Sequence, residues 1–178
     1  MVFDAKKAAN VNAGIWFCHD AKEFDKVAKN AAELFVSIGY EKNTGKCGKL
    51  VAKAYDLYDR AWESYPSKQS DELFKQGLEV HKEIRKLFGK NEKSGYLQHR
   101  WWVEFGLKRY WHVFFWLCLH HFTKLQGLNF YKAIKASYLL GQAGLKGHDE
   151  RSIVETKRRL EIYWNYINQS NFNERLIY

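Results

Sequence analysis

The sequence contains little proline, cysteine or glycine: one Pro, three Cys and twelve Gly in 178 residues. This scarcity excludes collagen-like repetition and a low-complexity linker. The cysteines, Cys18, Cys47 and Cys118, are odd in number and form no Cys-x-x-Cys pair, so the spacing supports neither a disulfide framework nor a zinc site. A reducing compartment is expected. A hydrophobic content of 46% is too high for a disordered chain, and the length suits a single domain with its own core.

The sequence also lacks a long apolar run. Its longest uninterrupted run, residues 113–119, is far shorter than the ~18 residues that cross a bilayer, so no transmembrane helix is predicted. The first residues contain neither the apolar core of a secretory signal nor the acid-free character of a transit peptide, because Asp4 comes early. The first residues therefore do not show to which organelle the protein is targeted.

Positive charge and aromatic rings are both abundant. The 29 Lys and Arg outnumber the 20 Asp and Glu, which gives a formal charge of +9. This charge favours an acidic partner: nucleic acid, an anionic membrane surface or an acidic protein. Aromatic residues make up 17% of the chain, more than one small core needs, so some rings are expected to face a partner.

Abundant Ala, Leu, Lys and Glu predict an all-α fold of five or six helices. The first predicted helix covers residues 20–37, with Asp20 and Glu23 as a capping box and Gly39 as its end. A loop follows at residues 43–48. The next predicted helix covers residues 49–65 and carries an apolar stripe at helical spacing; Pro66 stops it.

The following helix is predicted to begin at Ser70 and to end near Gly89, with one apolar and one cationic side. The predicted inward side comprises Leu73, Gly77, Val80, Ile84, Leu87 and Phe88, and the outward side Lys75, Lys82, Arg85, Lys86 and Lys93. Residues 97–125 are apolar on nearly every face, which predicts a central helix. Two further helices are predicted at residues 129–140 and 149–167, separated by a glycine-containing turn at 141–147.

No catalytic or metal site is predicted from these residues. His112, His120 and His121 have no metal-ligand spacing, and the glycines of residues 141–147 do not match a phosphate-binding loop. Cys18, His19 and Asp20 are adjacent in sequence and therefore splay around a helix or turn. Glu79 and Glu83 stand beside lysines as in a solvated ion-pair lattice. The chain is therefore expected to be non-enzymatic, without a cofactor of its own.

Two segments on the second and third predicted helices carry a recognisable pattern. Residues 54–66 read Ala-Tyr-Asp-Leu-Tyr-Asp-Arg-Ala-Trp-Glu-Ser-Tyr-Pro, and residues 84–93 read Ile-Arg-Lys-Leu-Phe-Gly-Lys-Asn-Glu-Lys. Together they resemble the LYR-motif proteins of mitochondria. The family pattern is Leu-Tyr-Arg on a first helix that ends in an aromatic or aliphatic residue and Pro, then Arg-x-x-Phe and Asn-Lys on a second. The sequence departs from it at Asp59, which stands where the family has Arg. Arg60 follows one place later, about a quarter-turn away.

The resemblance implies a three-helix LYR-like bundle at about residues 49–125, with an extra N-terminal helix and C-terminal helices at 127–178, in one helical domain. It also implies binding of the mitochondrial acyl carrier protein, a small acidic protein that supplies an acyl-4'-phosphopantetheine arm to the interior between the helices. Tyr58, Arg85, Phe88 and Lys93 match motif positions. The full expected docking set is Tyr58, Arg60, Lys82, Arg85, Lys86, Phe88, Lys90 and Lys93.

Within the family the chain looks most like the LYR accessory subunit of respiratory complex I. This implies a peripheral position among other subunits of a large assembly, on the matrix side of the mitochondrial inner membrane. An LYR-type assembly factor for iron–sulfur enzymes and an ATP synthase subunit remain alternatives. A further alternative of another class is a basic helical RNA-binding protein, such as a mitochondrial ribosomal component, because the positive charge and exposed rings would also suit phosphates and bases. A helical enzyme is disfavoured because no convergent site is visible.

Overall fold

The computed structural model describes residues 3–90, 92–106, 119–120, 123, 129–144 and 150–169. Within these ranges all regular structure is helical, which confirms the predicted all-α class. Seven helices are described, and they are numbered here in chain order. They are α1 (Ala5–Asp20), α2 (Phe24–Ser37), α3 (Thr44–Glu63), α4 (Lys68–Leu87), α5 (Lys93–Gly106), α6 (Phe130–Gly144) and α7 (Glu150–Gln169).

The N-terminal part is a hairpin of two helices and not the single helix that was predicted. Asp20 is the last residue of α1, and α2 begins only at Phe24, so the predicted capping box of Asp20 and Glu23 is wrong. The Asp4 carboxylate caps α1 instead, by accepting a hydrogen bond from the Lys7 amide at 2.8 Å. Helix α1 buries mostly alanines, which carry too weak an apolar signal for a stripe to be recognised.

The predicted boundary between α3 and α4 is close to the observed one. Helix α3 ends at Glu63, shortly before Pro66, because proline disfavours helical backbone in the residue before it. Helix α4 starts at Lys68, slightly earlier than predicted, because Ser67 is its N-cap. Ser67 and Ser70 each accept a hydrogen bond from the other's backbone amide at 3.0 Å. This reciprocal cap satisfies two amides that the helix itself leaves without acceptors.

The end of α4 follows the predicted glycine signal. Gly89 has φ +65°, a conformation that glycine adopts without steric cost. The amides of Gly89 and Lys90 donate to the carbonyls of Lys86 and Arg85 at 3.0 and 2.9 Å, so the last turn closes as a Schellman motif. The Asn43 side chain also donates to the Leu87 carbonyl at 2.9 Å, which ties the start of α3 to the end of α4.

The described helices pack in an order that places α3 at the centre. Helix α3 packs on α2, α4 and α5, and α4 also packs on α5, so α3, α4 and α5 form a mutually packed group. Helix α2 packs on α1, and α1 packs on α7, which packs on α6. Among the described helices, the C-terminal pair therefore extends the N-terminal hairpin and does not pack on α4.

The packing of α3 against α2 requires glycine at one position. A Cβ added to Gly48 would lie 2.2 Å from the Ala28 carbonyl oxygen and 2.9 Å from the Ala32 amide nitrogen. The two helix backbones therefore touch here without side chains between them, and Cys47 beside this contact is fully buried. Eleven of the twenty residues of α3 are buried, which leaves a narrow charged strip of the helix in solvent.

The later predicted helices agree with the structure where it describes them. Helix α6 extends four residues beyond the predicted end, through Gly144, and α7 matches its predicted range closely. Much of the predicted central helix at residues 97–125 lies outside the described residues, and α5 covers its beginning. In the described part of the chain, no helix is both long and apolar enough to cross a bilayer.

Candidate functional site

The outward side of α4 carries lysines that alternate with acids. Lys82 Nζ donates to Glu79 Oε1 at 2.6 Å, and Lys86 Nζ lies 4.0 Å from Glu92 Oε1. Glu83 pairs with Lys46 of α3 at 2.9 Å. The surface is therefore the ion-pair lattice that Glu79 and Glu83 indicated, and its acids interrupt the lysines more than the predicted cationic side implied. Exposed pairs of this kind contribute little to stability, so the lysines can exchange partners at low cost.

Arg85 lies inside the protein, so the prediction that it projects outward is wrong. Its side chain is 0% exposed. Position 85 follows Gly77 and His81 at intervals of four residues, and residues at that spacing share one face of a helix. Gly77 and His81 are both buried. The buried face of α4 is therefore wider than the face that its Leu, Val and Ile residues predicted, and it includes polar side chains. Arg85 therefore cannot contact a partner's surface in this conformation.

Tyr58 is also fully buried and lies at the centre of the packed group α3–α5. Its ring is 5.7 Å from the His81 ring and 5.4 Å from the Trp102 ring, measured between centroids, and is nearly parallel to both. A Cβ added to Gly77 would come within 2.8 Å of the Tyr58 ring. The space beside Gly77, between α3 and α4, is filled by this ring.

Phe88 is half-buried and packs away from α5. Its ring lies 5.2 Å from the Phe35 ring and 4.4 Å from the Tyr40 ring, so it holds the end of α4 against the end of α2. Its role in the described structure is the packing of the N-terminal hairpin.

The remaining predicted site residues divide into two places. Lys90 is half-buried and, with Lys82 and Lys86, surrounds the turn between α4 and α5. Lys93 begins α5, but its side chain lies outside the described residues. Arg60 is exposed and bonds Asp56 at 3.3 Å. Lys46 pairs with Glu83 and so marks the end of α3 that lies near this turn. Arg60 is fourteen residues farther along α3, a distance of roughly 21 Å. The structure brings the lysines together and leaves Arg60 apart.

Two histidines lie beside Tyr58, His81 fully buried and His99 half-buried, and sequence reasoning did not identify them. The Tyr58 hydroxyl and His99 Nδ1 are joined by a hydrogen bond of 2.7 Å. Burial, with a smaller effect of the Lys82 charge, lowers the pKa of His99 to about 4. Burial lowers the pKa of His81 as well, helped by the charges of His99 and Arg85. Both rings are therefore neutral at pH 7, and only their helical spacing from buried residues could have revealed them.

Asp59, the residue that replaces the motif arginine, connects α3 to the N-terminal hairpin. Its carboxylate accepts hydrogen bonds from His19 Nε2, at 2.9 and 3.0 Å, and from Lys22 Nζ. Burial alone would raise the pKa of Asp59, but the hydrogen bonds from His19 and Lys22 outweigh it and lower this pKa. The His19 ring also packs on Tyr55 at 4.3 Å. The departure from the motif therefore coincides with a structural anchor for α1 and α2.

The described residues contain no cluster of three or more His, Cys, Asp or Glu side chains that could hold a metal ion. Of the three histidines considered for metal binding, His112 and His121 lie outside those residues. Burial raises the pKa of both Cys47 and Cys18; the Glu23 carboxylate adds to the effect at Cys18. Both thiols are therefore protonated at neutral pH, a state in which cysteine is a poor nucleophile.

Comparison with known proteins gives no match: no protein-family model, no curated protein and no solved structure matches this chain.

Proposed function

We propose that the chain is a non-enzymatic accessory subunit of mitochondrial respiratory complex I, on the matrix side of the inner membrane, that binds the mitochondrial acyl carrier protein. The observation that carries this proposal is the mutual packing of α3, α4 and α5, the helices that contain the LYR-like residues. The acyl-4'-phosphopantetheine arm is supplied by the carrier. The protein's contribution is recognition and positioning.

The proposed docking surface is the turn between α4 and α5, with Lys82, Lys86 and Lys90. These lysines can meet an acidic surface by giving up their bonds to Glu79 and Glu92, which are exposed and weak. The C-terminal pair packs on α1, so among the described helices it leaves this surface accessible. Arg85 supports it from within, because its buried guanidinium adds positive charge behind the turn.

An acyl chain needs space that the described interior does not leave open beside Gly77. Entry between α3 and α4 requires the Tyr58 ring to move, which breaks its hydrogen bond to His99. The free energy lost with this hydrogen bond has to be offset by the burial of the apolar acyl group between the helices. We accordingly expect tighter binding of the acylated carrier than of the carrier without its arm.

The test is a binding titration of the full chain with purified acyl carrier protein in its acylated form. The variant K82E/K86E is expected to weaken binding about tenfold or more, because both charges then repel the acidic carrier. The matched control is K26E/K29E on α2. Lys26 makes the same kind of exposed pair, 2.6 Å from Glu23 at three-residue spacing. The control should retain binding. Equal loss in both variants, or no loss in either, would exclude this docking surface.

A further inference from the structure

Helix α6 lies at the edge of the described helix array. Among the described helices, α7 is its only extensive packing partner. The buried residues of α6 share one face of the helix; they are Ala133, Ala136, Ser137, Leu140, Gly141 and Ala143. The opposite face is therefore directed away from the rest of the array.

This outward face carries large aromatic rings in solvent. Tyr131 is 83% exposed, Tyr138 56% and Phe130 54%. Tyr131 and Tyr138 are seven residues apart and so lie on the same side of the helix, about 10 Å from each other along its axis. Phe130 lies about a quarter-turn from Tyr131 on the helix, at the border of the buried face. Its exposed ring meets the Tyr131 ring edge to face at 6.2 Å. We call Phe130, Tyr131 and Tyr138 the aromatic ridge.

The charge around the aromatic ridge is positive. Helix α6 contains no Asp or Glu, and Lys132 and Lys135 are both exposed. Lys135 lies between the two tyrosines, and its ammonium group is 4.7 Å from the centre of the Tyr166 ring of α7. The acid that α7 contributes on this side, Glu155, is held by Arg158 and Arg159 at 2.6–2.8 Å.

Helix α7 adds an exposed aliphatic residue to the same side. Arg159 bonds Gln142 of α6, and the Tyr166 hydroxyl bonds the Lys132 carbonyl, so these two residues mark the edge of α7 that faces α6. Ile162 lies between them at helical spacing and is 43% exposed. The ridge, the two lysines and Ile162 therefore share a surface that spans both helices.

We propose that this surface binds an anionic phospholipid membrane. Tyrosine suits the interface between headgroups and acyl chains, since its ring is apolar and its hydroxyl is polar. Lysines extend past such rings and place their charge among anionic headgroups. Two lysines are few for a nucleic acid, whose binding depends on neutralising many phosphates. The surface instead has the composition of a helix that lies in the membrane interface.

The test uses the full-length protein with lipid vesicles in a sedimentation assay. Vesicles of phosphatidylcholine with about 30% anionic phosphatidylglycerol should bind the protein, and phosphatidylcholine alone should bind it much more weakly. The variant K132E/K135E should lower the partition coefficient at least ~25-fold, from about fivefold for each lysine charge lost. The variant Y131S/Y138S should also lower it. High salt should weaken the binding of the unmodified protein.

Matched variants distinguish this surface from a general effect of the net charge. K82E/K86E changes the net charge by the same amount on α4 and should leave vesicle binding intact. Y96S removes an exposed ring of α5 and should also leave vesicle binding intact. Equal loss in K82E/K86E would overturn the proposal, as would absence of binding to anionic vesicles. It would also be overturned if a dimer of the unmodified protein dissociated in Y131S/Y138S, because the ridge would then bind a second copy. The inference does not depend on the proposed carrier binding, which is tested on α4.

Discussion

Acid is expected to destabilise the protein through His81 and His99, the two histidines beside Tyr58. His99 has a pKa of about 4 when folded, against 6.5 for an ordinary histidine, because burial disfavours its charged form. Below pH 6.5 the unfolded chain takes up a proton at this position and the folded chain does not. The contribution of a neutral His99 to the free energy of unfolding is therefore fully present above pH 6.5, and it is lost as the pH decreases toward 4. His81 acts in the same direction.

The size of the effect follows from these values. At about pH 5 the unfolded state gains roughly 2 kcal/mol from protonating His99, and the folded state gains almost nothing. Denaturant unfolding at about pH 7.5 and pH 5 measures the loss. The H99Q variant removes the titrating group, so its loss between the two pH values should be smaller than that of the unmodified protein by about 2 kcal/mol.

The control for this experiment is H120Q, because His120 is exposed. Its loss of stability between the two pH values should match that of the unmodified protein. If H99Q loses as much stability in acid as the unmodified protein does, His99 is not held neutral by burial, and the described interior of α3–α5 is wrong.

Two further predictions concern the packing of α3. The D59A variant removes the acceptor for His19 and Lys22. It should lower the free energy of unfolding by about 2 kcal/mol, because a partly buried ion pair is broken. Its control, D56A, removes only the exposed pair with Arg60 and should lower the free energy of unfolding by less than ~0.5 kcal/mol. The G48A variant should cost about 3 kcal/mol, since its Cβ would overlap the Ala28 carbonyl. Its control, G45A, meets nothing within 4 Å and should be neutral or stabilising by up to ~1 kcal/mol. Urea unfolding measures all four, and equal costs within either pair would contradict the packing described.

The helix boundaries that sequence predicted best are those with local chemical signals. Pro66 and Gly89 act through their own backbone preferences, so their effect is visible without tertiary context. Helix α1 was missed because its buried face is mostly alanine, which is equally common on exposed faces. The turn at Lys22 was missed because it has a positive φ in a residue that does not usually adopt one.

The site was harder to predict because polar residues occupy the interior. Arg85 and His81 share the buried stripe of α4, and a classification by side-chain polarity assigns both to the surface. The lysines Lys82 and Lys86 were placed outward correctly, but their pairing with Glu79 and Glu92 depends on side-chain geometry. The role of Asp59 depends on the turn between α1 and α2, more than thirty residues away in the chain.

The central claim is that the α3–α5 group binds an acyl carrier protein, and native mass spectrometry of the assembly isolated from cells tests it most directly. The prediction is a complex of this chain with one small acidic protein whose mass includes an acyl-phosphopantetheine group. Release of the chain with RNA, or without any such acidic protein, would contradict the claim.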